Sequence, residues 1–145
     1  MQKINIGLIG AGRIGRIHAE SLSRRVPNAR LLLVTDAILA SAEQCAADFQ
    51  IPEVASTAQA IFQHGDIDAV AICSSTDTHV PFIIEAAQAG KHIFCEKPIA
   101  LDLPSVDRAL AIVGELFDRK STKRAAAPVS DARDRYLRSS LRPPA

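Results

Sequence analysis

Three glycines in the run Gly10-Ala11-Gly12-Arg13-Ile14-Gly15 are the residues of this chain best suited to holding a phosphorylated ligand. In the spacing G-x-G-x-x-G, Gly10 permits a tight turn, Gly12 omits a Cβ so that the backbone can approach a pyrophosphate, and Gly15 lets a helix pack close to the preceding strand. Free N–H groups at the start of that helix, at the positive end of its dipole, then face the anion. Ala11, Arg13 and Ile14 lie inside the loop and belong to the same candidate site. Asp36 follows about 20 residues on, where an acid at the end of a second strand can accept hydrogen bonds from both hydroxyls of an adenine ribose. A 2′-phosphate would meet like charge there, and Ala37, Ile38, Leu39 and Ala40 supply no arginine to offset it, so the pattern points to NAD. Two plainer readings stay open: a glycine-rich connection without a ligand, and an acid that caps the next turn.

Two more polar runs carry chemistry. Cys73-Ser74-Ser75-Thr76-Asp77-Thr78-His79 leaves an apolar strand and enters a helix, so Ser74, Thr76 and His79 are candidates to contact the nicotinamide half of a dinucleotide. Their alternative role is capping, with the histidine on the surface. Glu96-Lys97-Pro98 follows the next strand, which brings an ammonium to the edge where a hydride-accepting ring would lie. Lys97 could polarise or protonate a carbonyl oxygen. A solvated Glu-Lys turn is the alternative.

The elements that must position these residues alternate. Apolar, β-branched runs at Ile4–Ile9, Ala29–Thr35, 51–54, 67–73 and His92–Cys95 read as strands. Helical spacing over 14–22, an alanine-rich stretch at Leu39–Phe49, a short helix capped by Thr57 over 57–64, a helix over 81–89 closed by Gly90, and a last helix over 103–117 fall between or after them. In the last helix Pro104 occupies the first turn, and Val106, Leu110, Val113 and Phe117 are expected on the buried face. Strands alternating with helices imply right-handed crossovers and an α/β, doubly wound parallel sheet of the Rossmann type in a single domain.

At 145 residues, with 48% hydrophobic and 23% charged residues, the chain has room for one such core and not for a second sizeable domain. No apolar run approaches the roughly 20 residues of a membrane span, no leader pattern opens the sequence, and a cytoplasmic location is expected. Cys45, Cys73 and Cys95 are odd in number and lack zinc spacing, so reduced thiols and no metal site are expected. The formal charge of +1 hides two unlike parts. Residues 1–119 carry 10 Lys and Arg against 14 Asp and Glu, while residues 120–145 carry 7 against 2. The first part is expected to be the dinucleotide-binding domain. The second, rich in arginine, serine, alanine and proline, is expected to be an irregular, disordered basic tail with at best a loose helix over 131–141. Arginines without interleaved aromatics are a weak nucleic-acid signal, so no nucleic-acid partner is expected.

Taken together, the glycine loop with His18, Asp36, the run from Ser74 to His79, Ala89-Gly90-Lys91-His92 and Glu96-Lys97-Pro98-Ile99-Ala100-Leu101 resemble the Gfo/Idh/MocA family of oxidoreductases over about residues 1–117. The wording around residues 13–19 and 96–103 is most similar to the myo-inositol 2-dehydrogenase branch. The resemblance implies hydride transfer between NAD and a secondary alcohol of a cyclic polyol or sugar, with Lys97 at the reacting oxygen and a cis bond before Pro98. Family members carry a second domain with a catalytic histidine in a D-x-x-x-H motif. The last histidine here is His92, and His18, His64, His79 and His92 do not match that position. The resemblance therefore implies an incomplete enzyme, weakly active or inactive alone, from a truncated or frame-shifted reading frame. A non-enzymatic NAD-binding or partner-binding module is the second reading, and a methyltransferase using S-adenosylmethionine is a third that leaves Glu96-Lys97-Pro98 without a role.

Overall fold

The computed structural model describes residues 3–125, the last six by backbone alone. In chain order the elements are β1 (Ile4–Ile9), α1 (Arg13–Arg24), β2 (Ala29–Thr35), α2 (Leu39–Phe49), β3 (Glu53–Ala55), α3 (Gln59–Gln63), β4 (Ala69–Ile72), α4 (Thr76–Gln88), β5 (His92–Cys95) and α5 (Leu103–Ala125). The five strands form one sheet in the order β3-β2-β1-β4-β5, parallel at every pairing. The chain steps outward from β1 to β3 and then returns across the sheet to β4. The strand order thus reverses between β1 and β4, which opens a crevice at the carboxyl ends of those two strands.

Burial on both faces explains why the strands are apolar throughout. On one side Leu8, Leu31 and Val34 pack with Ala19 of α1 and with Ala42 and Cys45 of α2. On the other, Ile9, Leu33, Val70 and Ile72 pack with Ile61 and Phe62 of α3, Val80 and Ile83 of α4, and Ala109 of α5. Gly7 sits inside β1 because a Cβ there would lie 2.5 Å from Ile61 Cγ2. The end of α4 is closed as a helix stop should be. Gly90 adopts φ +78°, and the N–H groups of Gly90 and Lys91 return to the carbonyls of Ala87 and Ala86.

The structure departs from the sequence reading at five places. Helix α4 begins at Thr76 and not at residue 81, so Pro81 lies inside the helix. Its ring removes one N–H bond, but the burial of His79, Val80 and Ile83 on one face outweighs that loss. The third strand is Glu53–Ala55 instead of 51–54, because Ile51 turns into the core, and the fourth is the shorter Ala69–Ile72. Thr57 does not cap α3 with its side chain; its carbonyl accepts the N–H of Ala60. Helix α5 runs to Ala125 and so enters the segment expected to be irregular, while the remainder of that expectation lies outside the described residues. Its buried face also differs. Ala109 is fully enclosed and Val113 packs on the core, whereas Leu110 and Phe117 point outward, because the helix meets α4 along the side occupied by Ala109.

Ile72, the last residue of β4, has no exposed surface and packs in the core on the α3, α4 and α5 side of the sheet. Ile72→Ala is expected to cost about 2–5 kcal/mol in chemical denaturation with an unchanged slope. A loss within ~0.5 kcal/mol would mean that this core does not close around β4.

Candidate functional site

Because all five strands are parallel, the segments after β1, β2, β4 and β5 share one edge of the sheet. The glycine loop leaves β1 with its N–H chain still anchored: Gly10 N donates to the Thr35 carbonyl at 2.8 Å, and Cys73 N to the Ile9 carbonyl at 2.7 Å. Gly10 adopts φ +99°, and a Cβ there would stand 2.6 Å from the backbone of Cys73 and Ser74. A Cβ on Gly15 would lie 1.9 Å from the Gly10 carbonyl oxygen. Gly12 is different: nothing lies within 4 Å of its missing Cβ. It caps α1 without a side chain, and the first turn holds no acid. The first-turn N–H groups therefore face an open space that a Cβ would partly fill, which is the cradle a pyrophosphate requires. Ala11 is buried in the loop, and Arg13 and Ile14 are exposed at the start of the helix.

Asp36 joins this loop directly. One carboxylate oxygen accepts the N–H of Ala11 at 2.7 Å and the other that of Ile38 at 2.8 Å. The acid therefore does cap the turn after β2, and it also ties that turn to the glycine loop. Each oxygen keeps a lone pair for a ribose hydroxyl.

Beyond β4, Ser74 and Thr76 stand at the start of α4. Thr78 Oγ1 donates to the Ser75 carbonyl at 2.6 Å, so the Ser74 hydroxyl, 2.7 Å from Thr78 Oγ1, is the donor of that pair. Ser74 is thus engaged within the turn, and Thr76 opens the helix. His79 is not on the surface, the alternative considered for it: it is 1% exposed, and its Nδ1 and Nε2 lie 2.8 and 2.9 Å from the carbonyl oxygens of Pro98 and Ser74.

Beyond β5 the Lys97–Pro98 peptide is cis, as the resemblance implies. Glu96 Oε1 lies 2.5 Å from His18 Nε2 on α1, and its Oε2 accepts the N–H of Lys97 at 3.2 Å. The His18 hydrogen bond holds the Glu96 carboxyl below its ordinary value, with the Lys97 N–H adding to it. Phe94 backs the pair, its ring edge-on to His18 at 5.1 Å. The Lys97 side chain is exposed and, among the described residues, makes no hydrogen bond or close ion pair, its charge acting on Glu96 only at longer range. The neighbouring thiols are inert. Burial first, then the Glu96 charge, pushes Cys73 up to about 12 and Cys95 up to about 11, and all three cysteines are free.

The roles of three residues here lie outside the sequence reading. His18 enters only through the resemblance, with no sign of its carboxylate partner. Asp102 accepts the Ser105 N–H at 2.8 Å at the start of α5, an acid three residues ahead of its donor that capping spacing signals. Lys91 donates from Nζ to the carbonyls of His64 and Ile67 at 2.6 and 2.7 Å, pinning the approach to β4; no short-range pattern predicts that.

A parallel five-stranded sheet with a glycine loop after β1 and an acid after β2 defines a dinucleotide-binding Rossmann domain. The family model described as "Oxidoreductase family, NAD-binding Rossmann fold", the Gfo/Idh/MocA family, matches residues 4–121, and the chain belongs to that family. It is 48% identical over 112 residues to the inositol 2-dehydrogenase of Rhizobium meliloti (strain 1021), which covers 77% of this chain and 33% of that protein. It is similar in structure to the scyllo-inositol dehydrogenase of Lactobacillus casei solved with bound NAD(H) and scyllo-inositol, at TM-score 0.76 and 33% identity, covering 81% of this chain and 34% of the other. The myo-inositol dehydrogenase of Lactobacillus casei in complex with NAD(H) and myo-inositol matches at TM-score 0.74 and 31% identity, over 77% of this chain and 33% of that one. The chain spans about a third of the length of the curated relatives it matches.

The Glu96 carboxyl sets a pH dependence. Its folded value lies below its unfolded one, so its stabilising contribution is complete above the ordinary carboxylate range and disappears as pH falls through the folded value. The difference in melting temperature between wild type and Glu96→Gln is expected to be largest near neutrality, to shrink as pH falls through the ordinary carboxylate range and to close only below the lowered folded value. A difference independent of pH would show that the His18 contact does not depend on the Glu96 charge.

Proposed function

We propose that this chain is the NAD-binding part of an oxidoreductase of the inositol or sugar dehydrogenase type. In this reading the first-turn N–H groups of α1, together with Gly10, Ala11, Gly12, Arg13, Ile14 and Gly15, receive the pyrophosphate, and Asp36 accepts the adenosine ribose hydroxyls. Ser74, Thr76 and the Glu96-Lys97-Pro98 turn border the nicotinamide half. The observation that carries the reading is the exposed ammonium of Lys97, free of hydrogen bonds among the described residues, on the same sheet edge as an open, uncapped glycine loop. NAD supplies the hydride acceptor. Lys97 holds the hydroxyl oxygen of a secondary alcohol on a cyclic polyol or sugar and eases departure of its proton by stabilising negative charge on that oxygen.

Proton removal also needs a base of suitable pKa in a dry pocket. His18 is committed to Glu96 and His79 to two carbonyls, so neither is free to serve. Oxidation of a polyol by these 145 residues alone is therefore expected to be far slower than by a protein that adds such a base. A module that binds NAD without catalysis is the second reading, favoured by the same commitment of both histidines. The three free thiols suit the cytoplasm, the location this reading assigns. Among the described residues no helix is long and apolar enough to cross a membrane.

Titration followed by nicotinamide fluorescence tests the cofactor assignment. NADH is expected to bind saturably and about tenfold or more tighter than NADPH, a difference of ~1.4 kcal/mol, and Asp36→Ser is expected to narrow that gap. Equal affinity for the two would remove Asp36 from the reading, and no binding of either would remove the whole of it. Slow oxidation of myo-inositol that Lys97→Met abolishes would favour the enzyme over the binding module.

A further inference from the structure

Among the described residues His79 is the largest polar side chain fully enclosed in the core, and its two ring nitrogens lie 2.8 and 2.9 Å from backbone carbonyls of different loops. Ser74 belongs to the exit of β4, whose backbone abuts Gly10. Pro98 belongs to the turn after β5 that carries Lys97. One side chain on α4 therefore spans from the wall of the glycine loop to the turn bearing the exposed ammonium. The other end of that turn is held from a different helix, by His18 of α1 on Glu96. Lys97 stands between the two attachments with its own side chain unengaged.

We propose that His79 is the positioning residue for Lys97: it sets the spacing between the Ser74 loop and the Lys97 turn, and so the width of the nicotinamide end of the crevice, while touching no ligand itself. The inference rests on the dinucleotide reading of the site. Its physical basis is that a buried carbonyl oxygen without a donor is costly: the ring N–H satisfies one of the two carbonyls, and the enclosed ring, packed against the other, fills the space between the loops. Carbonyls only accept, and the imidazole is the only side chain shown to reach both. The Glu96 N–H reaches the Ile72 carbonyl at 2.9 Å and joins the two strand ends, but beyond it the neighbouring bonds are local. Thr78 orders only the Ser74–Ser75 turn, and the Glu96 to Lys97 N–H contact orders only the start of the second turn. Without His79, nothing else described connects the Ser74 carbonyl to Pro98. A displacement of the order of 1 Å at a reacting group is enough for a large loss of productive binding.

The test compares His79→Leu, which fills space without a donor, with His79→Gln, whose amide nitrogen carries two donors. NADH affinity of the folded protein and the amide NMR signals of Ser75 and Lys97 are read together. His79→Leu is expected to weaken NADH binding by about tenfold or more and to shift both amides, leaving those of Ala11 and Ile38 in place; His79→Gln is expected to recover most of the affinity and both signals. A general structural role would lower stability in both variants and leave the affinity of the folded fraction unchanged, which would overturn the proposal. Should His79→Leu fail to fold, the wild-type ring decides: cross-peaks from it to the α-protons of both Ser74 and Pro98 support the clamp, and contact with only one overturns it. If wild type binds no NADH, the cofactor reading fails, while the paired amide shifts still report whether His79 couples the two loops.

Discussion

The glycine loop, the first turn of α1 and the exit of β4 approach one another more closely than side chains allow. A Cβ on Gly15 would sit 1.9 Å from the Gly10 carbonyl oxygen, and one on Gly10 would sit 2.6 Å from the Cys73 backbone. The direction in which α1 leaves the sheet depends on this contact, and so does the placement of its uncapped N-terminus over the crevice between β1 and β4. Ala19, one turn further along α1, can reach the core over Leu8 because the helix starts so close to the strand. His18 reaches Glu96 from the same helix.

Around that contact the site is built from hydrogen bonds that each join two loops. Asp36 ties the end of β2 to Ala11, His18 ties α1 to the turn after β5, and His79 ties that turn to the exit of β4. These groups are buried or half-buried, where an unmade bond is expensive, so each bond constrains loop position more than its net stabilisation of about 1 kcal/mol suggests. The residues left without such ties, Gly12 at the helix start and Lys97 on its turn, are those the proposed function assigns to ligand contact. A rigid frame with a few uncommitted groups is what positioning chemistry requires.

Much of this was legible in the amino-acid order, and the exceptions share a cause. The strands Ile4–Ile9, Ala29–Thr35 and His92–Cys95 and the helix Leu39–Phe49 have the bounds their patterns suggest, because buried parallel strands and alanine-rich helices carry strong local signals. The start of α4 was misread because Pro81 imitates a first-turn proline, while Thr76 and Asp77 are the true opening and satisfy the acid-at-the-start rule equally well. The buried face of α5 differs from its pattern because Leu110 and Phe117 are the larger hydrophobes, yet Ala109 and Val113 are the residues that meet the core. Size decided neither case; the neighbouring helix did.

By itself the sequence determined the α/β alternation, the glycine spacing with an acid beyond the second strand, and the Glu-Lys-Pro turn, because each of these is a local pattern whose physics is complete within a few residues or one βα unit. Only the tertiary structure decided that Asp36 bonds the glycine loop it follows, that His18 meets Glu96 across 78 positions, and that His79 is buried between two loops. Those contacts arise where separate parallel strands end on one edge of the sheet. Which carbonyl a buried imidazole meets there is set by how the helices pack, and that is a property of the assembled core that no short stretch of sequence contains.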